Sequence, residues 1–349
     1  MTVQQRVGDA RVAALDWVAT NVAGAQGFVG AYLAGSVATL ANGETIPASS
    51  DVDVMVVLDR EHAAKPGKLL HHGVLLEITF LDAGLFTSPE TILGNYHLAA
   101  SFVQPGILMD PSGSLAALQR VVAAEYPRRE RVEARVADAA AKVAAGLDGF
   151  TADGFLPQQV MGWIFPTGVL THVLLVAGLR NPTVRRRYEA VHDLLREFDR
   201  EDAYPPLLDV LGARFLTRDQ VSRHLEPLAA VFDVAARVRD ATFPFASDIS
   251  PLARPIAIDG SRELVEQGSH REAAFWMVVT WTRALVILRH AGGDAAVAPW
   301  LGAFHDLIGE IGICDGRDLP DRAQRSLDLL PFVESVAAGI IARHPAISA

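Results

Sequence analysis

Asp51-Val52-Asp53-Val54-Met55-Val56-Val57-Leu58 reads as a strand with two carboxylates at its head. Successive strand side chains point to opposite faces, so Asp51 and Asp53 project together while Val52 and Val54 enter the opposite layer. Two adjacent carboxylates repel unless a positive charge lies between them, and hard oxygen ligands select Mg2+ or Mn2+. Upstream, an apolar strand near Phe28–Ala34 runs into Gly35-Ser36. Downstream, the apolar strand Val74–Leu81 is interrupted by Glu77, whose charge is costly to bury without a partner. Placed beside the aspartate pair, Glu77 becomes a third ligand. Three carboxylates can hold two ions about 3.5–4 Å apart, the arrangement that clamps attacking and leaving oxygens in phosphoryl transfer. Glycine permits a tight turn at Gly35, and exposed N–H groups there, with the Ser36 hydroxyl, form a cradle for a triphosphate tail.

Gly-Ser, a spacer, Asp-x-Asp on a strand and a later strand carboxylate: this order resembles the DNA polymerase beta-type nucleotidyltransferase superfamily. An α/β core followed by helices resembles its antibiotic-modifying members, the aminoglycoside and lincosamide nucleotidyltransferases. The motif resemblance covers residues 28–82, under a fifth of the chain. It implies that Asp51 and Asp53 bind both of two Mg2+ ions (or Mn2+), that Glu77 binds the catalytic one, and that Gly35 and Ser36 lie at the phosphates of an NTP, expected to be ATP. The implied reaction moves a nucleoside monophosphate to an acceptor hydroxyl and releases pyrophosphate. The expected acceptor is a small molecule such as an aminoglycoside-like antibiotic. The alternatives are a tRNA or protein acceptor, and a catalytically silent member with a binding or regulatory role. Fourteen residues separate Ser36 from Asp51, several more than is usual in the family. Asn42-Gly43 places a surface hairpin tip in that extra length; a displaced Ser36 would put phosphate binding in question.

Composition narrows the function classes. The chain has 349 residues, a formal charge of −10, 50% hydrophobic and 21% charged residues, which excludes a disordered or fibrous protein. The single Cys314 excludes an intramolecular disulfide framework and multi-cysteine metal sites. An acidic balance, without a basic face in either half, argues against extended nucleic-acid binding. Only Lys65, Lys68 and Lys142 are lysines, so a phosphate clamp would be built mostly from arginine, and Arg185 and Arg186 are the candidates. The polar start leads into an amphipathic pattern (Val12, Leu15, Val18, Val22) rather than a secretion signal, and a cytoplasmic location is expected. Leu156 to Leu179 carries no Asp, Glu, Lys or Arg, yet Gln158, Gln159, Pro166 and His172 favour buried core helices over a membrane span.

The pattern divides near residue 126. Residues 1–126 read as an α/β nucleotidyltransferase-type catalytic domain, a small mixed sheet with helices: an opening helix over residues 5–24, the three strands above, a polar stretch Asp59–Lys68, a helix from Ser88-Pro89, a short strand Ile107–Met109 and a helix to Ala124. Residues 127–349 read as an all-α helical-bundle domain that selects the substrate. Its expected helices are Arg131–Leu147, Asn181 through Phe198, Val221–Val238 after a Thr217…Gln220 capping box, Ala273–His290 after a Ser269…Glu272 capping box, Pro299–Ile313 and Pro331–Ile341. Residues 241–260, with Pro244, Pro251 and Pro255, read as a loop.

Several residues carry a structural reading beside a functional one. Glu272 reads as a cap rather than a base, Arg283 as a structural partner of a buried acid, His172 as a hydrogen-bonded core residue and Tyr188 as packing. Lys142 reads as an exposed helix cation and Asp110 as the cap of the following helix. His71-His72 have no partner at metal-ligand spacing in the sequence, and Cys314 has no base partner.

Overall fold

The computed structural model describes residues 5–47, 49–59, 66–240, 242–243 and 245–349. It contains a small five-stranded mixed sheet in the N-terminal half and a helical C-terminal region. The chain forms two compact units, residues 1–135 with 346–349, and residues 136–345.

In the first unit, α1 (Val7–Asn21) precedes β1 (Phe28–Leu33), β2 (Val52–Leu58), β3 (Gly67–His71), β4 (Val74–Asp82), α2 (Pro89–Gly94), α3 (Tyr96–Phe102), β5 (Ile107–Met109) and α4 (Ser114–Glu125). The spatial order is β3-β4-β2-β1-β5. Strands β2 and β4 are parallel and the other neighbours antiparallel. The core covers one face of this sheet: Val52, Val54, Leu76 and Ile78 pack in one cluster with Val7, Ala10, Ala14, Trp17 and Val18 of α1. That alternation sends Asp53 and Glu77 to the opposite face.

Two expectations for the first unit are corrected. The buried stripe of α1 runs through Val7, Ala10, Ala14, Trp17 and Val18 at helical spacing, whereas Val12 is 68% and Leu15 41% exposed. The polar stretch Asp59–Lys68 ends in a strand, because Gly67–His71 pairs antiparallel with Val74–Ile78 through the His72-Gly73 turn. Both turn residues have positive φ (49° and 78°), the backbone of a two-residue type I′ hairpin whose twist matches the strands. Lys65 lies outside the described residues.

The helices after α4 are α5 (Arg129–Leu147), α6 (Leu156–Ala177), α7 (Arg187–Glu197), α8 (Tyr204–Leu211), α9 (Arg218–Arg223), α10 (Leu225–Val238), α11 (Gly260–Glu266), α12 (His270–Glu310) and α13 (Leu319–Arg343). Helix α6 is long and apolar enough to cross a membrane by composition, but 72% of its apolar window is buried inside the protein. The capping box Thr217–Gln220 is present, and Ser88 accepts the Thr91 N–H at the start of α2. The helix expected from Asn181 begins only at Arg187, and the one expected over Val221–Val238 is broken at His224. The two helices expected either side of Gly292-Gly293 run on as α12 with a kink at those glycines. The loop expected over residues 241–260 contains a helical turn, Pro255–Asp259, continuing into α11, and Pro244 lies outside the described residues.

Candidate metal centre

Strand register builds the site. Glu77 lies opposite Asp53 in the parallel β2–β4 pair, and Lys68 lies opposite Glu77 in the antiparallel β3–β4 pair. Directly opposed residues share a face, so Lys68, Glu77 and Asp53 form a row across three adjacent strands. Asp51, two residues before Asp53, joins them on the same face. One carboxylate oxygen from each of Asp51, Asp53 and Glu77 lies within 4.8 Å of the others, a group able to hold a metal ion. The donor set is purely carboxylate oxygen, which fits a hard divalent cation and not a thiophilic one.

Lys68, unassigned by the sequence reading, supplies a positive charge inside this group. Its Nζ lies 2.7 Å from Asp51 Oδ2 and donates to Glu77 Oε2. The Lys68 side chain is only 6% exposed, and those of Asp51 and Glu77 are 18% and 16%. Burial pushes the Asp51 carboxyl above its ordinary range, Lys68 opposes that shift and the Glu77 charge adds to it.

The Gly35-Ser36 turn abuts the carboxylates. The Ala34 N–H donates to the Asp53 carbonyl at 3.0 Å, pinning the end of β1 to the head of β2. Gly35 has φ 64° and ψ −157°, and a Cβ there would lie 2.1 Å from Asp53 Oδ2. Only glycine allows both that backbone and that approach. A short helical turn, Ser36–Ala38, follows with Ser36 exposed. From α1, Arg11 Nη2 donates to the carbonyls of Val37 and Leu40, each at 3.0 Å.

The extra length after Ser36 is a tight turn but not the tip of a strand hairpin. The Glu44 N–H donates to the Ala41 carbonyl at 2.9 Å. The Asn42 and Glu44 carbonyls accept the Gly8 and Val7 N–H groups at 3.0 and 2.9 Å, and Thr45 bridges Arg6. The insertion therefore satisfies donors in the first turn of α1 that have no partner within the helix.

Arg185 and Arg186 belong to the second unit, where Arg186 pairs with Glu189. Arg187 is buried beside the Phe275 ring, its Cζ 4.1 Å from the centroid, and Tyr188 is buried next to it. The expected Ser269…Glu272 capping box does not form. Glu272 is 5% exposed and accepts the Tyr204 hydroxyl, while Ser269 donates to Glu189. A buried carboxylate favours a fixed donor over a solvated cap, and burial is also what drives the Tyr204 pKa upward. Arg283 pairs with Asp248 at 2.9 Å, His172 contacts the Thr183 carbonyl at 2.9 Å, and Asp110 accepts the Ala116 N–H at 2.8 Å, each the structural role expected of it. Lys142 and Cys314 are exposed.

His71 and His72 do acquire a partner. Both Nε2 atoms approach Asp16 Oδ2, at 2.7 and 2.9 Å, and the three form a second group able to hold a metal. Asp16 lies 55 residues upstream of His71, so no local spacing announced it. Hydrogen bonds from His71 and then His72 hold the Asp16 carboxyl below its ordinary range.

Compared with family models and with curated proteins, the chain matches none.

Proposed function

We propose that this protein is a metal-dependent nucleotidyltransferase of the DNA polymerase beta type, moving a nucleoside monophosphate from an NTP, ATP in the first instance, to a hydroxyl of a small molecule in the cytoplasm. The observation that carries this reading is the convergence of Asp51, Asp53 and Glu77 against the Gly35-Ser36 turn. A metal–nucleotide complex needs a cation site beside an anion site, and the Gly35 turn lying against the Asp53 carboxylate supports that reading. In the reaction the acceptor oxygen bonds to the α-phosphorus as the bond to the departing pyrophosphate breaks, and the acceptor proton passes to a base.

Asp51, Asp53 and Glu77 would hold Mg2+, which when bound supplies neutralising charge to the phosphates. Asp53, on the strand between β1 and β4, would be the ligand nearest the Gly35 turn. The Ser36 hydroxyl and neighbouring N–H groups would orient the phosphate tail, and positioning of this kind accounts for much of the rate in phosphoryl chemistry. Acceptor selection is assigned to the helical unit, where Arg186 is paired with Glu189.

The test is a screen of the purified protein with Mg2+, α-labelled NTPs and separate pools of antibiotics, tRNA and cell protein. Transfer of label to the small-molecule pool with release of pyrophosphate is expected, and Asp53→Asn should abolish it while leaving the circular dichroism spectrum unchanged. Full activity of that variant would defeat the assignment of the metal site.

A further inference from the structure

We propose that Asp16, His71 and His72 form a second metal site, one for Zn2+ or a similar borderline divalent ion, that ties the β3–β4 hairpin to α1. The inference is independent of the carboxylate centre and of the activity read from it.

The turn creates the pair of imidazoles. Along an extended strand neighbouring side chains point to opposite faces, so His71 and His72 would be kept apart. His72 instead takes the left-handed backbone of the type I′ turn, at φ 49°, and the two rings lie side by side with centroids 4.3 Å apart. Histidine is one of the few residues besides glycine that is enriched in that backbone. Asparagine is another, and it is the preferred residue before glycine in this turn, so the turn alone does not call for an imidazole.

The helix supplies the third ligand. Asp16 immediately precedes Trp17 and Val18, both packed in the core of the first unit, so its carboxylate projects from an anchored helix. Both imidazole Nε2 atoms converge on one of its oxygens, Oδ2, at 2.7 and 2.9 Å. All three ligand atoms lie within 4.8 Å of one another.

Donor chemistry selects the ion. Two imidazole nitrogens and one carboxylate oxygen make a zinc-type ligand set with an open position, and imidazole favours Zn2+, Ni2+ or Co2+ over the Mg2+ that a purely carboxylate group selects. Bonds of about 2.0–2.1 Å at tetrahedral angles put ligand atoms about 3.3 Å apart, so the three side chains need to open by roughly half an ångström around the ion. They have room to do so, because the side chains of Asp16, His71 and His72 are 48%, 21% and 67% exposed. The same exposure leaves the fourth position to water. An ion held by residues so far apart in sequence binds the folded arrangement and not the unfolded chain, and therefore stabilises the fold.

The experiment titrates Zn2+ by calorimetry into the full chain, free of any added histidine tag and with Mg2+ in excess to occupy the carboxylate centre. Thermal melts with and without Zn2+ accompany it. The variants are Asp16→Asn, His71→Gln and His72→Asn; the last installs the Asn-Gly pair that type I′ turns prefer, so it removes a ligand while keeping the hairpin. One Zn2+ per chain is expected for the native protein, with a melting temperature that rises with Zn2+ concentration. Each variant should bind Zn2+ at least about tenfold more weakly, since losing even the outer partner of a metal ligand costs that much, and should gain correspondingly less in melting temperature. Failure of the native protein to bind Zn2+, or a loss under about tenfold in any one of the three variants, would overturn the site and leave a hydrogen-bonded cluster in its place. Neither result bears on Asp51, Asp53 and Glu77, which the variants leave intact.

Discussion

Gly35→Ala probes the contact on which the site depends. At φ 64°, ψ −157° the backbone of Gly35 occupies a region that is essentially restricted to glycine, where a side chain costs about 1–3 kcal/mol. Space is the second charge against alanine. Its Cβ would lie 2.1 Å from Asp53 Oδ2, whereas real Cβ contacts under 3.0 Å are essentially never seen. The Asp53 carboxylate must therefore retreat by roughly 1 Å, and a displacement of that size at a reacting centre costs on the order of 100-fold in rate. Gly35→Ala should melt roughly 2–8 °C lower. Its rate of pyrophosphate release should fall by about two orders of magnitude, and its Mn2+ affinity should fall with the displaced ligand.

Gly43→Ala is the matched control. Its Cβ meets nothing within 4 Å, so its melting temperature should stay with the native protein. Thermal denaturation followed by Mn2+ titration of both variants separates strain from ligand displacement. A Gly35→Ala protein that melts lower but binds Mn2+ normally would show that strain alone acts there. One that melts and binds like the native protein would refute both the close packing and its consequence.

Other outcomes follow from the same structure. Burial holds the folded-state pKa of Asp51 above its unfolded value, so its contribution favours folding below the ordinary carboxylate range and is lost as pH rises through the raised pKa. Asp51→Asn should therefore raise the melting temperature of metal-free protein at pH 8 and lose that advantage near pH 3; an equal effect at both would contradict the burial cause. Arg11→Ala leaves the Val37 and Leu40 carbonyls without their charged donor and should cost about 1.5–3 kcal/mol, with weaker Mn2+ binding, in paired melts and titrations. Tyr204→Phe removes the hydroxyl that buried Glu272 accepts and should destabilise the protein by about 1–3 kcal/mol without changing Mn2+ affinity, as read by the same two measurements.

What was legible in the sequence was whatever alternation encodes. Val52 and Val54 against Asp51 and Asp53, and Leu76 and Ile78 against Glu77, fix both the strands and the face on which the carboxylates meet. Lys68 was legible only through the turn. His72-Gly73 is a two-residue hairpin, and counting outward from it pairs His71 with Val74 and Lys68 with Glu77. The short strand escaped because Gly67 and Lys68 are poor strand formers that only tertiary pairing holds extended. Glu272 was misassigned for a related reason. The spacing Ser269 to Glu272 satisfies a local capping rule, but Tyr204, far upstream in sequence, offers the carboxylate a buried donor instead. The His71–His72–Asp16 cluster likewise depends on where α1 lies against the hairpin, which no local pattern records.

Despite the long spacer between Ser36 and Asp51, Gly35 lies against Asp53, and α1 accounts for how the spacer is held. The helix and its N-terminal flank hold that segment at several points between Val37 and Ile46. Arg11, one turn into α1, grips the carbonyls immediately after Ser36, and the first-turn N–H groups of Val7 and Gly8 bind the carbonyls of Glu44 and Asn42. The same helix buries Val7, Ala10, Ala14, Trp17 and Val18 in the cluster that contains Val52, Val54, Leu76 and Ile78. The extra residues therefore act as a strap to a helix that is itself anchored under the sheet. Their length is absorbed on the far side of Ser36, where it does not move Gly35 away from Asp53. The strap also explains why a polar insertion is tolerated in a small unit: its exposed backbone carbonyls replace the cap that Arg6, at the N-cap position of α1, does not provide.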